Sequence, residues 1–326
     1  MKKFLALILC VMCIALPSVA CQKPQDDKFT LACPDGAPAI SAFAISSNEN
    51  IDTTVYASSD AVGAITALMS AGEVDFAILP INVATKTAKS GYTMLGVLTH
   101  GNLYGISKTE TNLEVNDLKG KKVGTIQIGA VPGFTIKSTL NNNGIQFVSS
   151  ASELNANNVL ISGLDANKDA IINALDNSVV DVAIVAEPMC SMITANANYK
   201  KCFALHDLYG SYPQAVLMVK NSVLANNTKE VKEVMKAFSN FAYENASGAE
   251  IVSFINANMN NGATSTLKPV ALSSNAIAGS NIRFSLAKNE KQSVLNYISD
   301  LKSFNTALGT VVDDVDDSFF YGGDIN

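Results

Sequence analysis

The sequence predicts an α/β protein with two similar lobes that face one cleft. Residues 72–82 (Gly-Glu-Val-Asp-Phe-Ala-Ile-Leu-Pro-Ile-Asn) return further along the chain as residues 178–188 (Ser-Val-Val-Asp-Val-Ala-Ile-Val-Ala-Glu-Pro). Each copy is a short apolar run that follows Val-Asp and closes near a proline, which is typical of a buried parallel strand that leads into a helix. With 48% hydrophobic and 16% charged residues, the 326-residue chain can bury two cores.

A first block of strand–helix units is predicted over residues 29–90. Pro38 suits the first position of a helix, where its missing N–H costs nothing, and Ser58 and Ser59 are good N-cap residues. The elements are, in order, strand 29–33, a helix from Pro38 to Phe43, strand 52–57, a helix with apolar residues at 62, 65, 68 and 69, strand 75–79 and helix 81–89, followed by strand 92–98.

A second block over residues 121–197 repeats this scheme, so the chain contains an internal duplication of architecture. Its elements are strand 121–126, loop 129–133, helix 134–140, strand 159–161, a helix with apolar residues at 171, 172 and 175, and the second copy of the repeated strand. Residues 99–107 and 212–219 are expected to cross between the lobes. From residue 227 onward, apolar stripes at helical spacing predict helices, the first with an apolar face that runs to Phe241 and Ala242, and this tail is expected to cover the first lobe.

Composition and motifs argue against several functions. A net charge of −6 with a single arginine, Arg283, excludes the basic surface that nucleic acid needs. Gly-x-Ser-x-Gly, phosphate-loop and dinucleotide motifs are absent, and His100 and His206 are the only histidines. The acidic run 313–317 lacks the glycine and final glutamate of a calcium loop and is predicted to be a solvated segment. We therefore predict no catalytic residue, no metal site and no cofactor.

The first twenty residues have the charged start, apolar run and small-residue cleavage site of a signal peptide, so residues 1–20 are expected to be removed. Cys21 follows the cut, as in lipoproteins, and is predicted to carry a lipid, with residues 21–28 as a polar tether. Ordinary cleavage without a lipid is the alternative. The sequence leaves open whether Cys190 and Cys202 form a disulfide. No later apolar run is long enough to span a bilayer.

Four motifs of the chain resemble those of ABC-transporter substrate-binding proteins of the nitrate/sulfonate/taurine type. The chain is also similar to binding proteins for thiamine-pyrimidine precursors. They are residues 72–84, 101–104 (Gly-Asn-Leu-Tyr), 117–124 (Asp-Leu-Lys-Gly-Lys-Lys-Val-Gly) and 186–188 (Ala-Glu-Pro). The resemblance implies a two-lobed, periplasmic-binding-protein-like (type II) α/β fold with two interlobe crossovers. Residues 29–104 plus 214–326 would form lobe 1, and residues 105–213 would form lobe 2.

The same resemblance implies a function without chemistry. The protein would be the substrate-binding component of an ABC importer that captures a small polar organic solute or an oxyanion (sulfonate, nitrate, taurine or a pyrimidine-like compound) as its lobes close. Its partners would be this ligand, a permease with its ATPase, and the membrane that holds the lipid anchor, but not nucleic acid. An exported monomer in the periplasm or at the outer face of the cytoplasmic membrane is expected. The alternatives are an enzyme of thiamine-pyrimidine or menaquinone-precursor synthesis on the same fold, and a ligand-sensing lipoprotein.

Candidate ligand-binding residues lie where strands end at the predicted cleft or where the chain crosses between the lobes. Helix N-termini offer N–H groups to an anion, and glycines allow close backbone approach. The competing roles are turn geometry for the glycines, helix capping for the serines and complementation of a helix dipole for Glu187. The candidates are Asp35, Gly36, Ala37, Ser58, Ser59, Pro80, Ile81, Asn82, Thr99, Asn102, Gly129, Pro132, Gly133, Glu187 and Pro188.

Overall fold

The computed structural model describes residues 28–46, 48, 50–58, 62–306 and 309–325. The predicted signal peptide, Cys21, most of the tether and Ser59 lie outside the described residues. Four strands come first: β1 (Phe29–Pro34), β2 (Thr53–Ser58), β3 (Phe76–Pro80) and β4 (Tyr92–His100). Six follow: β5 (Leu103–Ser107), β6 (Lys122–Ile126), β7 (Gln146–Val148), β8 (Asn158–Leu164), β9 (Val182–Ala186) and β10 (Lys200–Ala204). The last two are β11 (Pro213–Lys220) and β12 (Ile282–Leu286).

Helices follow most of these strands. They are α1 (Ala37–Ser46), α2 (Gly63–Ala71), α3 (Ile81–Thr87), α4 (Val131–Asn142), α5 (Lys168–Asp176), α6 (Met189–Thr194), α7 (Leu205–Tyr209), α8 (Asn221–Asn226), α9 (Thr228–Asn240), α10 (Gly248–Ala257), α11 (Ser274–Gly279) and α12 (Ala287–Lys302). Short 3-10 turns lie at Ala88–Ser90, Val115–Leu118, Ala151–Glu153, Tyr243–Asn245, Asn260–Gly262, Pro269–Ala271 and Asp317–Phe319.

The strands form two six-stranded sheets with the orders β12-β4-β11-β3-β1-β2 and β10-β5-β9-β6-β8-β7. In the first sheet β3 lies between β1, to which it is parallel, and β11, to which it is antiparallel. In the second sheet β9 lies in the same way between parallel β6 and antiparallel β5. The antiparallel neighbour is in each case the strand that the chain enters directly after changing sheets. The predicted two-lobed α/β fold is therefore confirmed, although each repeated strand is parallel on one side only.

The Val-Asp pair that opens both repeated strands has the same role in the two sheets. The Thr30 amide donates to Oδ2 of Asp75 at 2.9 Å, and the Lys122 amide donates to Oδ2 of Asp181 at 2.8 Å. Each aspartate thus satisfies a backbone N–H near the start of the neighbouring first strand. Because buried or half-buried N–H groups need partners, the carboxylates help to fix the parallel register of both sheets.

Several local predictions are corrected by the structure. Helix α4 begins at Val131, so residues 131–133 are helical rather than loop, because Pro132 is tolerated in a first turn. Helix α2 begins after Val62 without a side-chain cap, and Ser58 is instead the last residue of β2. Helix α9 ends at Asn240, so Phe241 and Ala242 lie outside it.

The C-terminal part of the chain packs on both lobes. Helices α9 and α10 contact α1 within one apolar core, as the sequence predicts for a tail that covers the first lobe. Helix α12 also reaches the second lobe, since the hydroxyls of Tyr297 and Thr135 lie 2.5 Å apart and Nδ2 of Asn142 donates to Asp300 at 2.9 Å. A helix from the C-terminal segment thereby joins β4 of one sheet to α4 beside the other.

Cys33, Cys190 and Cys202 are buried free thiols, so Cys190 and Cys202 are not joined. Burial raises the pKa of both Cys190 and Cys202 to about 12, which keeps them in the thiol form. Within the described parts of the chain, no helix is both long enough and apolar enough to cross a membrane.

Candidate functional site

A cavity of about 400 Å³ lies where the carboxyl ends of strands from both sheets meet. The ends of β1, β3 and β4 and the start of β11 form its wall in the first lobe, and the ends of β6 and β9 form its wall in the second. Its lining consists of Pro34, Asp35, Gly36, Ala37, Pro38, Val62, Pro80, Asn82, Val83, Thr99, Asn102, Ile126, Gln127, Ala130, Val131, Pro132, Ala186, Glu187, Gln214 and Ala215. The wall is thus largely apolar with a few polar groups, as expected for a small-molecule site.

Most of the candidate residues from the sequence line this cavity. They are Asp35, Gly36, Ala37, Pro80, Asn82, Thr99, Asn102, Pro132 and Glu187. These residues come from five separate stretches of the chain, and the fold brings them together because strand ends meet at the facing edges of the two sheets.

Five described candidates do not line the cavity, each for a local reason. Ile81 is fully buried in the apolar core, and Ser58 is buried at the end of β2, where its carbonyl accepts from the Asp35 amide at 2.9 Å. Gly129 lies in an exposed turn, and Pro188 is the residue directly before α6. A Cβ on Gly133 would lie 2.0 Å from the Ile128 carbonyl oxygen, so this glycine is required by packing within the lobe.

Two asparagines provide the least satisfied polar groups of the cavity wall. Asn82 is 7% exposed and Asn102 is 1% exposed, and within the described structure neither side-chain oxygen has a hydrogen-bond partner. An unpaired buried amide oxygen costs about 1–3 kcal/mol, so these groups favour a bound molecule that completes their hydrogen bonds. Asn82 lies in the first turn of α3, directly after the first copy of the repeated strand.

Glu187 occupies the equivalent tip of the second copy but is already bonded. Its carboxylate accepts from the Ser191 amide at 2.9 Å and from the Ser191 hydroxyl at 3.0 Å, and Nζ of Lys201 lies 3.3 Å away. The Lys201 ammonium also lies 3.6 Å from the centroid of the Tyr104 ring. Glu187 therefore stabilises the start of α6 and pairs with Lys201 inside the lobe. This is the helix-dipole role that was the alternative to ligand contact for this residue.

Asp35 is likewise held by the protein. Its two oxygens accept from the Gly36 amide, the Ser265 hydroxyl at 2.7 Å, and both the amide and hydroxyl of Thr266 at 2.7 and 2.8 Å. This carboxylate ties the end of β1 to the segment that follows α10. Asp35 lines the cavity, but its carboxylate already accepts four hydrogen bonds from the protein and has no acceptor position to spare for a ligand.

Sequence reasoning missed Gln127 and Gln214. Gln127 directly follows β6, as Glu187 directly follows β9, and this shared position was a usable signal. Gln214 lies at the start of β11, where its side-chain oxygen accepts from the Asn102 amide at 3.2 Å. This hydrogen bond joins the two crossing segments at the cavity wall, and no local sequence pattern predicts it.

His100 lies at the end of β4, directly before the first crossing. It is 1% exposed, and its Nε2 lies 3.5 Å from a carboxylate oxygen of Glu290. Burial, reinforced by the charge of Arg283, lowers the pKa of His100 to about 4 against the opposing effect of Glu290. The imidazole is therefore neutral at pH 7, and it does not line the cavity.

Two α/β lobes, two crossings and a cavity at the facing strand ends define a periplasmic-binding-protein-like chain. The sequence matches the NMT1/THI5-like family over residues 47–247, which is more than half of the chain, and the protein belongs to that family. No curated protein sequence matches the chain.

Solved structures with the same fold include transport proteins and an enzyme. An ABC transporter structure from Parabacteroides distasonis is similar over 92% of this chain and 100% of its own, with a TM-score of 0.63 and 16% identity. The periplasmic aliphatic sulphonate-binding protein SsuA from Escherichia coli is similar over 84% and 87%, with a TM-score of 0.58 and 13% identity. The desulfurization enzyme DSZB is similar over 87% and 94%, with a TM-score of 0.52 and 12% identity. At these identities the likeness establishes the fold.

Proposed function

We propose that the protein is the substrate-binding component of an ABC importer, which captures a small polar solute between its lobes and delivers it to a permease. The observation that carries the proposal is the cavity of about 400 Å³ shared by both lobes, with the unpartnered amide oxygens of Asn82 and Asn102 in its wall. A ligand that bonds to groups from both lobes would stabilise the closed arrangement, and hinge motion would be absorbed in the two crossings.

The transport proteins among the structural neighbours and the chemistry of the cavity wall support this proposal over catalysis. The neighbours include ABC-transporter binding proteins, although DSZB shares the fold and is an enzyme. Catalysis by a nucleophilic thiol would require an accessible thiolate near the cavity. Cys33 lies at the end of β1, but it is fully buried, and burial together with the nearby Asp35 raises its pKa far above the usual range. The wall described around the cavity contains neither histidine nor cysteine.

A screen of the mature chain by thermal unfolding tests solute capture. A ligand at about a hundredfold its Kd adds about 2.7 kcal/mol to the free energy of unfolding, so a true ligand raises Tm measurably. Native mass spectrometry of the purified protein checks for a carried ligand in the same preparation. The proposal fails if no compound of a broad metabolite panel raises Tm and no bound molecule is found by mass.

The anchor and the location are tested separately. We propose that the chain is exported and that Cys21 is acylated after cleavage, which would tether it near the permease. Cells that express the full chain would incorporate labelled fatty acid into the protein, and the Cys21→Ala variant would not. Equal labelling of both proteins would disprove the lipid anchor. A protein that still carries residues 1–20 would disprove cleavage and export.

A further inference from the structure

The charges around the cavity restrict the kind of solute that it holds. None of the described residues in the wall is lysine, arginine or histidine. The formal charges among these described wall residues are the carboxylates of Asp35 and Glu187. Moving an anion from water into a site without a counter-charge costs several kcal/mol, so this wall disfavours sulfonates, nitrate and carboxylates.

Both carboxylates are also unavailable to a cationic solute. Asp35 accepts four hydrogen bonds from Gly36, Ser265 and Thr266. Glu187 accepts from Ser191 twice and is paired with Lys201. A cation in the cavity would have to break one of these sets of bonds, which would leave protein donors unpaired.

The helix N-termini at the cavity supply less positive charge than the missing cation would. The carboxylate of Glu187 already bonds to the first turn of α6, and that of Asp35 lies directly before α1. The first turn of α4 has no side-chain cap, but Pro132 removes one of its N–H groups. A helix start carries about half a unit of positive charge, and two of these starts have a full negative charge of the protein beside them.

The remaining polar groups are neutral. The side chains of Asn82, Asn102, Gln127 and Gln214 and the hydroxyl of Thr99 offer both donors and acceptors. We propose that the solute in this cleft carries no formal charge, and that it is a neutral polar molecule held by amide groups of the two lobes. The inference rests on the proposed function and narrows it, because it excludes oxyanions and zwitterions such as taurine.

The test compares probes that differ in charge. The mature chain is screened by thermal unfolding with neutral compounds (cytosine, nicotinamide, inositol), anions (nitrate, ethanesulfonate, nicotinate), the zwitterion taurine and the cation choline. Any molecule that co-purifies is released and identified by mass. We expect a rise in Tm of roughly 5 °C at a hundredfold excess over Kd for a neutral compound, and none for the charged probes.

A gain of function sharpens the test. Gln127 is exposed at the cavity wall, so Gln127→Lys adds a cation there, whereas Gln146→Lys places the same substitution on exposed β7 away from the cavity. Gln127→Lys is expected to bind ethanesulfonate or nitrate about tenfold more tightly than the parent does, and Gln146→Lys is expected to match the parent.

The outcomes separate the two proposals. If wild-type protein is stabilised by, or carries, an anion, a zwitterion or a cation, the neutral-solute inference is overturned while solute capture stands. A Gln127→Lys variant without any gain in anion binding would overturn the electrostatic explanation. If neither these probes nor any compound of the broad metabolite panel shifts Tm, and no molecule co-purifies, solute capture itself fails, and the inference fails with it.

Discussion

The two copies of the repeated strand begin alike and end differently. Asp75 and Asp181 each accept a backbone N–H from the neighbouring first strand, at 2.9 and 2.8 Å. At the other end, the first copy presents Asn82 with an unpartnered amide oxygen, and the second presents Glu187 with every oxygen bonded within its own lobe. The repeat thus preserves the residue that builds the sheet, while the amide oxygen at one tip is unpaired and the carboxylate at the other supports the structure.

Gly36 and Gly133, near the starts of the first helices of the two blocks, are under different constraints, and they give the largest expected effect. Gly133→Ala would place a Cβ 2.0 Å from the Ile128 carbonyl oxygen, and should lower the free energy of unfolding by about 3 kcal/mol. Gly36→Ala meets open space but has a φ of +99°, which should cost about 1–2 kcal/mol. Chemical denaturation measures both, and Gly129→Ala is the control without a clash. Equal losses at Gly133 and Gly129 would contradict the packing explanation.

Glu187→Ala tests whether the second tip is structural. The side chain is 1% exposed and bonds to Ser191 and Lys201, so its removal should cost about 2 kcal/mol, somewhat less than a fully buried pair because Lys201 is 41% exposed. Glu187→Gln keeps an acceptor for Ser191 and should lose about half as much. Urea denaturation of the variants measures the difference. A Glu187→Ala protein as stable as the parent but defective in ligand binding would reassign Glu187 to the ligand.

Asp75→Ala and Asp181→Ala test the shared start of the two strands. Each variant leaves one half-buried N–H without its acceptor, so each should lose about 1–2 kcal/mol of stability, and the two losses should be similar. Denaturant titration with a constant m value would establish that the loss is in stability. The equivalence of the two aspartates would be lost if one substitution were neutral and the other destabilising.

Asn82→Ala is expected to have the smallest effect on stability and a clear effect on binding. Removal of the unpaired oxygen relieves its desolvation cost, but truncation of a buried side chain loses packing, so the free energy of unfolding should change by less than about 1 kcal/mol, while solute affinity should fall about tenfold. Thermal unfolding with and without the solute measures both quantities. Unaltered affinity would remove Asn82 from the site, and a marked loss of stability without solute would make it a structural residue.

Local patterns were sufficient for the repeated strands and for most strands of the two blocks, but β7, β10 and β12 were not predicted. The apolar runs after Asp75 and Asp181 are long, β-rich and bounded by a proline, so their positions follow from the sequence. The start of α4 was misplaced because the Gly-Ala-Val-Pro-Gly run at 129–133 has the composition of a loop, whereas proline and glycine fit a first helical turn against Ile128.

Contacts between distant residues could not be predicted in this way. Gln214 enters the site because β11 returns between β3 and β4, a pairing that depends on the whole topology. The bonds of Asp35 to Ser265 and Thr266 join residues far apart in the chain, and no periodicity encodes them. Sequence reasoning therefore identified the edge at which the cavity lies, but not which polar groups the fold leaves unpaired there.

The strand orders also set an order of assembly during synthesis. Every strand of the second sheet comes from the continuous stretch between Leu103 and Ala204, so this sheet can close as soon as that stretch has emerged. The first sheet needs β11 between β3 and β4, and its middle stays open until Lys220 has been made. Unpaired strand edges invite mispairing and aggregation. The first sheet therefore begins earlier in the chain than the second sheet but is completed later. Its strand edges would be better protected from mispairing if the chain stayed unfolded until synthesis was complete.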